Sequence, residues 1–354
     1  MDDIAGHGFE AEGAFIVSDA IQADDILSGL AGKRVLVTGA GGFIGSRLTE
    51  RLVECGAEVR VLVRYTSDGD AGWLDRSPVR AGLDVRRGDL ADRDSVTDAV
   101  RDRDIVFHLG ALIAIPYSYL APESYVRTNM FGTLNVLQAV RELGVGRMVH
   151  TSTSEVYGSA QTIPMTEAHP LVGQSPYSAT KIAADKLAES YHRSFGTPVV
   201  TLRPFNTFGP RQSARAVIPA IAVQMLAGRP VKLGDTRPTR DFVFVDDTVD
   251  AFLRAGITPG VEGETIHTGG GREVRIGDLP AMIATAAGVS VEVVADETRM
   301  RPPASEVERL IADASLARAK LGWAPRVSVE EGLARTVDFI RANPTLYRPD
   351  EYAV

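Results

Sequence analysis

Short apolar runs alternate with longer stretches of helical periodicity through the first two hundred residues. RVLVTG (34–39), EVRVLVR (58–64), LDVRRGDL (83–90), DIVFHLG (104–110), GRMVHTST (146–153) and PVVTLRP (198–204) read as strands. The amphipathic patterns over 43–55, 92–101, 122–143 and 177–196 read as helices between them. Strand and helix in this alternation predict an α/β fold of Rossmann type, a doubly wound parallel sheet with helices on both faces. Such sheets bind ligands at the carboxyl ends of their strands. Near residue 205 the rhythm breaks. Gly and Pro rise in RPFNTFGPRQ and GDTRPTRD, and the strands become short and scattered. The chain therefore divides into an extension over 1–32, a nucleotide-binding domain over 33–205 joined by about 242–268, and a smaller α/β substrate domain over 206–241 plus 269–343. Within the extension, SDAIQADDILSGL has the pattern of a short helix capped by Ser18. LGW (321–323) reads as a turn before a closing helix in SVEEGLARTVDFI, with Trp323 expected in the core.

Composition narrows the class. The chain has 354 residues with 44% hydrophobic and 24% charged positions, an ordinary soluble balance. Its formal net charge of -8 argues against nucleic acid as a partner. Cys55 is the single cysteine, which leaves no intrachain disulfide and no cysteine metal cluster and suits the cytoplasm. No run approaches the roughly 20 apolar residues of a membrane span, and the acidic start MDDIAGHGFEAEG lacks the basic character of a signal peptide. No metal site is expected.

The chemistry begins at VTGAGGFIG. Gly39, Gly42 and Gly45 follow a strand and open a helix. The first suits a tight turn, the second close approach of a pyrophosphate, and the third close packing of helix on strand, with the helix N-terminus attracting phosphate. In a repeated βα pattern this predicts a dinucleotide cofactor, NADP or NAD. The second strand ends in Arg64, where an NAD site usually carries an acid for the ribose 2′-hydroxyl, so NADP is favoured over NAD. Asp89 of GDL stands either at the adenine edge or as a cap for the next helix.

YSATK sets Tyr177 and Lys181 four residues apart on one helix face. A free tyrosine titrates near ~10, and a neighbouring ammonium favours its phenolate, so Tyr177 can take a hydroxyl proton while hydride leaves the same carbon. Thr153 ends the preceding strand beside this pair. These motifs, with HLGA, TSTSEVYG, RPFNTFGPR and TRDFVFVDD, make residues 33 to about 340 resemble an extended short-chain dehydrogenase/reductase of the nucleotide-sugar epimerase/dehydratase family.

The resemblance implies an enzyme with Tyr177 and Lys181 as redox pair, Thr153 on the sugar 4-hydroxyl, and Asn129 supporting the active-site helix. It implies cofactor contacts from Gly39, Gly42, Phe43, Ile44, Gly45, Arg64, Asp89, Leu90, Leu109 and Ala111. Asn206, Arg211, Arg240 and Arg301 fall among the loops that hold a nucleotide diphosphate, with Arg203 a further guanidinium there and Arg211 alternatively a loop stabiliser. Tyr117 and Ser118 of IPYSY either face the sugar or, for the tyrosine, pack a loop.

Glu155 separates the rival activities. In this family simple 4-epimerases usually carry a small residue there, and 4,6-dehydratases carry the acid that removes the C5 proton once C4 is a ketone. The glucose dehydratases place Asp before that acid, whereas this chain has Ser154. That departure resembles the GDP-mannose and legionaminate-pathway dehydratases and leaves the donor to the leaving C6 hydroxyl open between Glu155 and Ser154 with a water. The expected activity is a nucleotide-sugar 4,6-dehydratase acting on UDP- or GDP-N-acetylglucosamine or a related hexose. A 4-epimerase and a UDP-glucuronate decarboxylase are the alternatives, the latter opposed by YSATK where decarboxylases usually read YDEGK. The helices 122–143 and 177–196 are expected to pair in a homodimer as a four-helix bundle.

Overall fold

The computed structural model describes residues 27–347. The helix expected in SDAIQADDILSGL lies outside them except for its last residues, of which Leu30 is fully buried.

The first half is a regular alternation: β1 (Arg34–Thr38), α1 (Phe43–Glu54), β2 (Glu58–Arg64), β3 (Asp84–Gly88), α2 (Arg93–Val100), β4 (Ile105–His108), α3 (Ile115–Leu120), α4 (Pro122–Tyr125), α5 (Gly132–Glu142), β5 (Arg147–Thr151), α6 (Pro176–Phe195) and β6 (Val199–Pro204). With β10 (Thr265–Thr268) these strands form one seven-stranded sheet in the order β10-β6-β5-β4-β1-β2-β3, every described pair parallel. Both faces are covered, which is why the inner strands read as nearly unbroken apolar runs. Val35 and Val37 of β1 join one core, and Leu36 between them joins the other, with Val106 and Met148.

Strand order reverses between β1 and β4, the switch point where a crevice opens at the strand ends. Gly39 turns away from β1 with φ +71, and a Cβ there would stand 2.7 Å from the Gly110 nitrogen beyond β4. A Cβ on Gly45 would stand 2.3 Å from the Gly39 oxygen. Both positions therefore exclude any larger side chain for reasons of backbone contact alone.

Beyond β6 lie β7 (Asn206–Phe208), α7 (Val217–Leu226), β8 (Val231–Leu233), β9 (Thr239–Phe244), α8 (Val245–Ile257), β11 (Glu273–Arg275), α9 (Leu279–Ala287), β12 (Val293–Ala295), α10 (Ser315–Leu321) and α11 (Val329–Ala342). They form a three-stranded sheet, β11-β9-β7, and a two-stranded one, β12-β8. Asp247 of α8 ties this part to the main sheet: its carboxylate accepts from Arg326 and Val327 backbone nitrogens, 3.0 Å each. Trp323, as expected, is core, its indole donating to the Asp247 carbonyl at 2.8 Å.

Candidate active site

β5 ends at Thr151, and the chain turns sharply into a 3-10 turn over Ser154–Tyr157. Thr153 caps that turn by accepting from the Glu155 backbone nitrogen at 3.2 Å. Ser154 is buried beneath the turn, while Glu155 is partly exposed. The acid thus ends a buried strand because the turn lifts it off the sheet into the crevice.

Helix α6 delivers the second set of groups. Ser175 and Ser178 form a reciprocal capping box at its start, fixing the first turn on which Tyr177 stands. Tyr177 is 7% exposed and Lys181 4%. Burial pushes the Tyr177 phenol well up, the neighbouring Thr153 hydroxyl draws it back, and the Glu155 carboxylate adds to the rise. Burial pulls the Lys181 ammonium down to about 8, against the attraction of Asp185. Its Nζ donates to the Thr151 carbonyl at 2.6 Å, so strand exit and helix face are joined directly. The same Glu155 charge supports Arg240, whose guanidinium burial would otherwise lower further. The Glu155 charge therefore acts on both the phenol and a buried arginine.

Between α4 and α5 a single π turn, Val126–Phe131, interrupts the helix and carries Asn129. The Asn129 amide accepts from the Leu112 nitrogen at 2.8 Å and donates to the Leu112 carbonyl and to Thr180 on α6. It holds the loop after β4 against α6, the helix that carries Tyr177 and Lys181. The rings of Tyr117, Tyr125 and Tyr177 run in sequence at centroid separations of 6.2 and 6.3 Å, which brings Tyr117 to the mouth of the same wall. Ser118 departs from expectation. It is fully buried and its hydroxyl donates to the Ile115 carbonyl at 2.7 Å, a back-bond within its own short helix, so it presents nothing to a sugar.

On the opposite wall Arg240 and Arg301 converge on Glu306. Arg240 donates to its carboxylate at 3.3 Å, and Arg301 approaches it at 3.6 Å. The two guanidinium groups share the Glu306 carboxylate, and Arg301 Nη1 is buried without a hydrogen-bond partner among the described residues. Asn206 Oδ1 is likewise buried and unpaired there.

Two arginines do not join them. Arg203 stands on β6 rather than a loop, and its guanidinium is consumed by Asp185 and by the Tyr157 hydroxyl. Arg211 donates to Ser46 and Glu50 of α1, the loop-stabilising alternative.

The glycine loop meets the needs of a dinucleotide. Gly42 caps α1 with no side-chain capping bond, so the first helical N–H groups have no side chain laid over them. Phe43 and Ile44 pack on the core, and Leu109 lines the floor beside them. Leu90 packs between Gly110 and Gly132 at the end of β3, and Ala111 lies just past Gly110, partly exposed. Asp89 caps a turn through the Ala91 nitrogen at 2.9 Å, and Arg64 is exposed at the end of β2. These residues line the carboxyl edge of β1 to β4, and the donor set fits a nicotinamide dinucleotide.

Sequence reasoning did not single out Asp185, Ser152, Tyr125 or Glu306. Asp185 could have been found four residues past Lys181 on the same face. Glu306 had no such signal, since its role depends on a loop folding back toward β9.

Comparison with known proteins agrees with this geometry. Residues 36–336 match the family described as GDP-mannose 4,6 dehydratase. A dTDP-glucose 4,6-dehydratase of Streptomyces antibioticus is 38% identical over 326 residues, covering 89% of this chain and 94% of that protein. A UDP-glucose 4-epimerase of Mycolicibacterium smegmatis is 36% identical, covering 87% and 98%. Among solved structures, the dTDP-glucose 4,6-dehydratase DesIV of Streptomyces venezuelae with NAD and TYD bound superposes with a TM-score of 0.81, is 33% identical and covers 89% of this chain and 99% of its own. The chain therefore belongs to the GDP-mannose 4,6 dehydratase family, within the extended short-chain dehydrogenases/reductases that act on nucleotide sugars with a nicotinamide cofactor.

Proposed function

We propose that the protein dehydrates a nucleotide hexose to its 4-keto-6-deoxy form, with UDP- or GDP-N-acetylglucosamine or a closely related hexose as substrate. The observation that carries this reading is Glu155, a partly exposed carboxylate set beside Tyr177 at the strand end. A protein that only inverted C4 would have no work for it.

Tyr177, with its phenolate favoured by the Lys181 ammonium, takes the proton of the sugar 4-hydroxyl. A nicotinamide dinucleotide held by the glycine loop Gly39–Gly45 and by Arg64, Asp89, Leu90, Leu109 and Ala111 would supply the hydride acceptor for C4 and the hydride for C6. The resulting ketone acidifies the C5 hydrogen, and Glu155 removes it as a proton. The C6 hydroxyl departs as water once protonated. Ser154 is buried, so we assign the leaving-group proton to Glu155, which has just taken one. Hydride returned to C6 and a solvent proton delivered to C5 complete the balance, a net loss of one water. Arg240 and Arg301 supply the positive charge, and Arg301 Nη1 the spare donor, that a diphosphate needs, while the Asn206 Oδ1 is an acceptor for a hydroxyl or amide N–H of the nucleotide sugar.

A UDP-glucose 4-epimerase among the relatives makes 4-epimerisation the second reading. Incubation with UDP-, GDP- and dTDP-hexoses followed by product mass decides between them. Loss of one water supports the dehydratase. Unchanged mass with inverted C4 supports the epimerase, and loss of carbon dioxide from a glucuronate would make it a decarboxylase.

For the cofactor, Arg64 favours NADP, although DesIV is described with NAD. Arg64→Ala is expected to weaken NADP binding about 10-fold or more, the worth of a charge-assisted hydrogen bond, and leave NAD within about 2-fold. Calorimetric titration of both cofactors checks this. Met130, Phe131, Leu134, Ala183 and Leu187 form an apolar patch shared by the π turn, α5 and α6, which supports a homodimer built on those helices. No helix among the described residues is long and apolar enough to cross a membrane, and the cytoplasm is the compartment we assign.

A further inference from the structure

We propose that Asp185 is a positioning residue for the proton-transfer centre: buried under the exit of β5, it clamps the strand on both sides of Thr151 and so sets how Lys181, Thr153 and Glu155 meet the substrate. The inference rests on the reading above that these three groups carry the chemistry.

Asp185 lies one turn beyond Lys181 on α6 and is 4% exposed. One carboxylate oxygen faces His150 Nε2 at 3.1 Å, and the other accepts from the Ser152 hydroxyl at 2.6 Å. His150 and Ser152 flank Thr151, the residue whose carbonyl holds the Lys181 ammonium. The strand is therefore pinned before, at and after that carbonyl by two side chains of one helix. Thr153 is the next residue, and any slip of the exit would carry it and Glu155 out of line. From β6, Arg203 donates to Asp185 through Nε at 3.1 Å and Nη2 at 2.9 Å, and passes a third bond to the Tyr157 hydroxyl at the far end of the 3-10 turn. The turn bearing Glu155 is thus held at its start through Ser152 and at its finish through Tyr157, both traced to the same carboxylate.

The charges facing this centre are few and known. Asp185 is held at about 2: burial alone would raise it, but His150, Arg203 and Lys181 outweigh that. His150 and, stacked on it, His108 of β4 are kept neutral by burial. Among the described residues, Asp185 is the anion whose attraction holds up the Lys181 ammonium. Removing its charge lowers the pH at which Lys181 loses its proton.

Two variants test this. The reaction followed is the first half, the reduced-nicotinamide absorbance on mixing with nucleotide hexose, together with its pH dependence. Failure of the dehydratase reading would leave that absorbance change intact in the wild type and abolish only loss of water, so the two failures differ. Asp185→Asn is expected to lower the rate of C4 oxidation about 10–100-fold, with nucleotide-sugar affinity within about 3-fold, and to move the alkaline limb of kcat/KM to lower pH. Ser152→Ala leaves the Asp185–Arg203 pair intact and should fold; it is expected to lower the same rate about 5–20-fold with the limb unmoved. If Asp185→Asn does not fold, the Ser152→Ala rate alone decides. A wild-type rate in Ser152→Ala, or an Asp185→Asn whose alkaline limb stays in place, overturns the proposal.

Discussion

Glu155→Gln is expected to stop loss of water from the sugar, with the dehydration rate down by about 10³–10⁴-fold, while C4 oxidation continues. The amide keeps the shape of the side chain and loses the basic oxygen pair, so cofactor and nucleotide sugar should still bind. Removing the charge beside Tyr177 also relieves a cause that pushes its phenol up, so oxidation at C4 should be no slower than in the wild type. The variant is therefore expected to stall with reduced nicotinamide present and the sugar held as its ketone. Rapid-mixing absorbance together with product mass reads both halves in one experiment. Normal formation of the dehydrated product by this variant would remove Glu155 from the reaction.

Tyr177→Phe is expected to block the earlier step. The phenol sits in a wall of aromatic rings and is almost wholly buried, so the phenyl ring occupies the same space and the fold should persist. What disappears is the group to which we assign the 4-hydroxyl proton. Turnover should fall by about 10²–10⁴-fold with no reduced nicotinamide at any stage. The two variants thus divide the reaction at the ketone: one never reaches it, the other never leaves it. Calorimetric binding of the nucleotide sugar, unchanged within about 3-fold in both, separates these losses from a loss of the binding we propose for Arg240 and Arg301.

The alternation of apolar runs and amphipathic stretches was enough to read the parallel sheet, because both sheet faces are covered and the inner strands had to be largely apolar, whereas the edge strand β3 is mostly polar and exposed. It was also enough to put the glycine loop at the first strand end, where backbone contact at Gly39 and Gly45 admits no side chain. Tyr177 and Lys181 were legible as a pair because they stand four residues apart on α6, and Thr153 and Glu155 because both lie just past the end of β5; the roles proposed for them rest on the family resemblance.

The arginines were harder. Arg203, Arg211, Arg240 and Arg301 look alike in sequence, yet only the last two converge. Arg203 differs because strand β6 aims it inward at Asp185, and pairing across two elements leaves no local trace. The magnitude matters here: breaking a buried ion pair by deleting one partner costs roughly 3–5 kcal/mol, so Arg203 is committed to the fold. Ser118 illustrates the converse, since a hydroxyl in a short helix can satisfy itself on the preceding turn and vanish from the surface. Glu306 reaches the site only through the loop that brings it beside Arg240, a contact across 66 residues of sequence that no periodicity encodes.

The central claim is that one carboxylate carries a proton to and from C5 of a hexose after its C4 has been oxidised. Running the reaction in heavy water and locating deuterium in the product tests it most directly. The account predicts a product lighter by one water with solvent deuterium at C5, and no such label in Glu155→Gln. A product of unchanged mass, inverted at C4 and free of deuterium at C5, would contradict it.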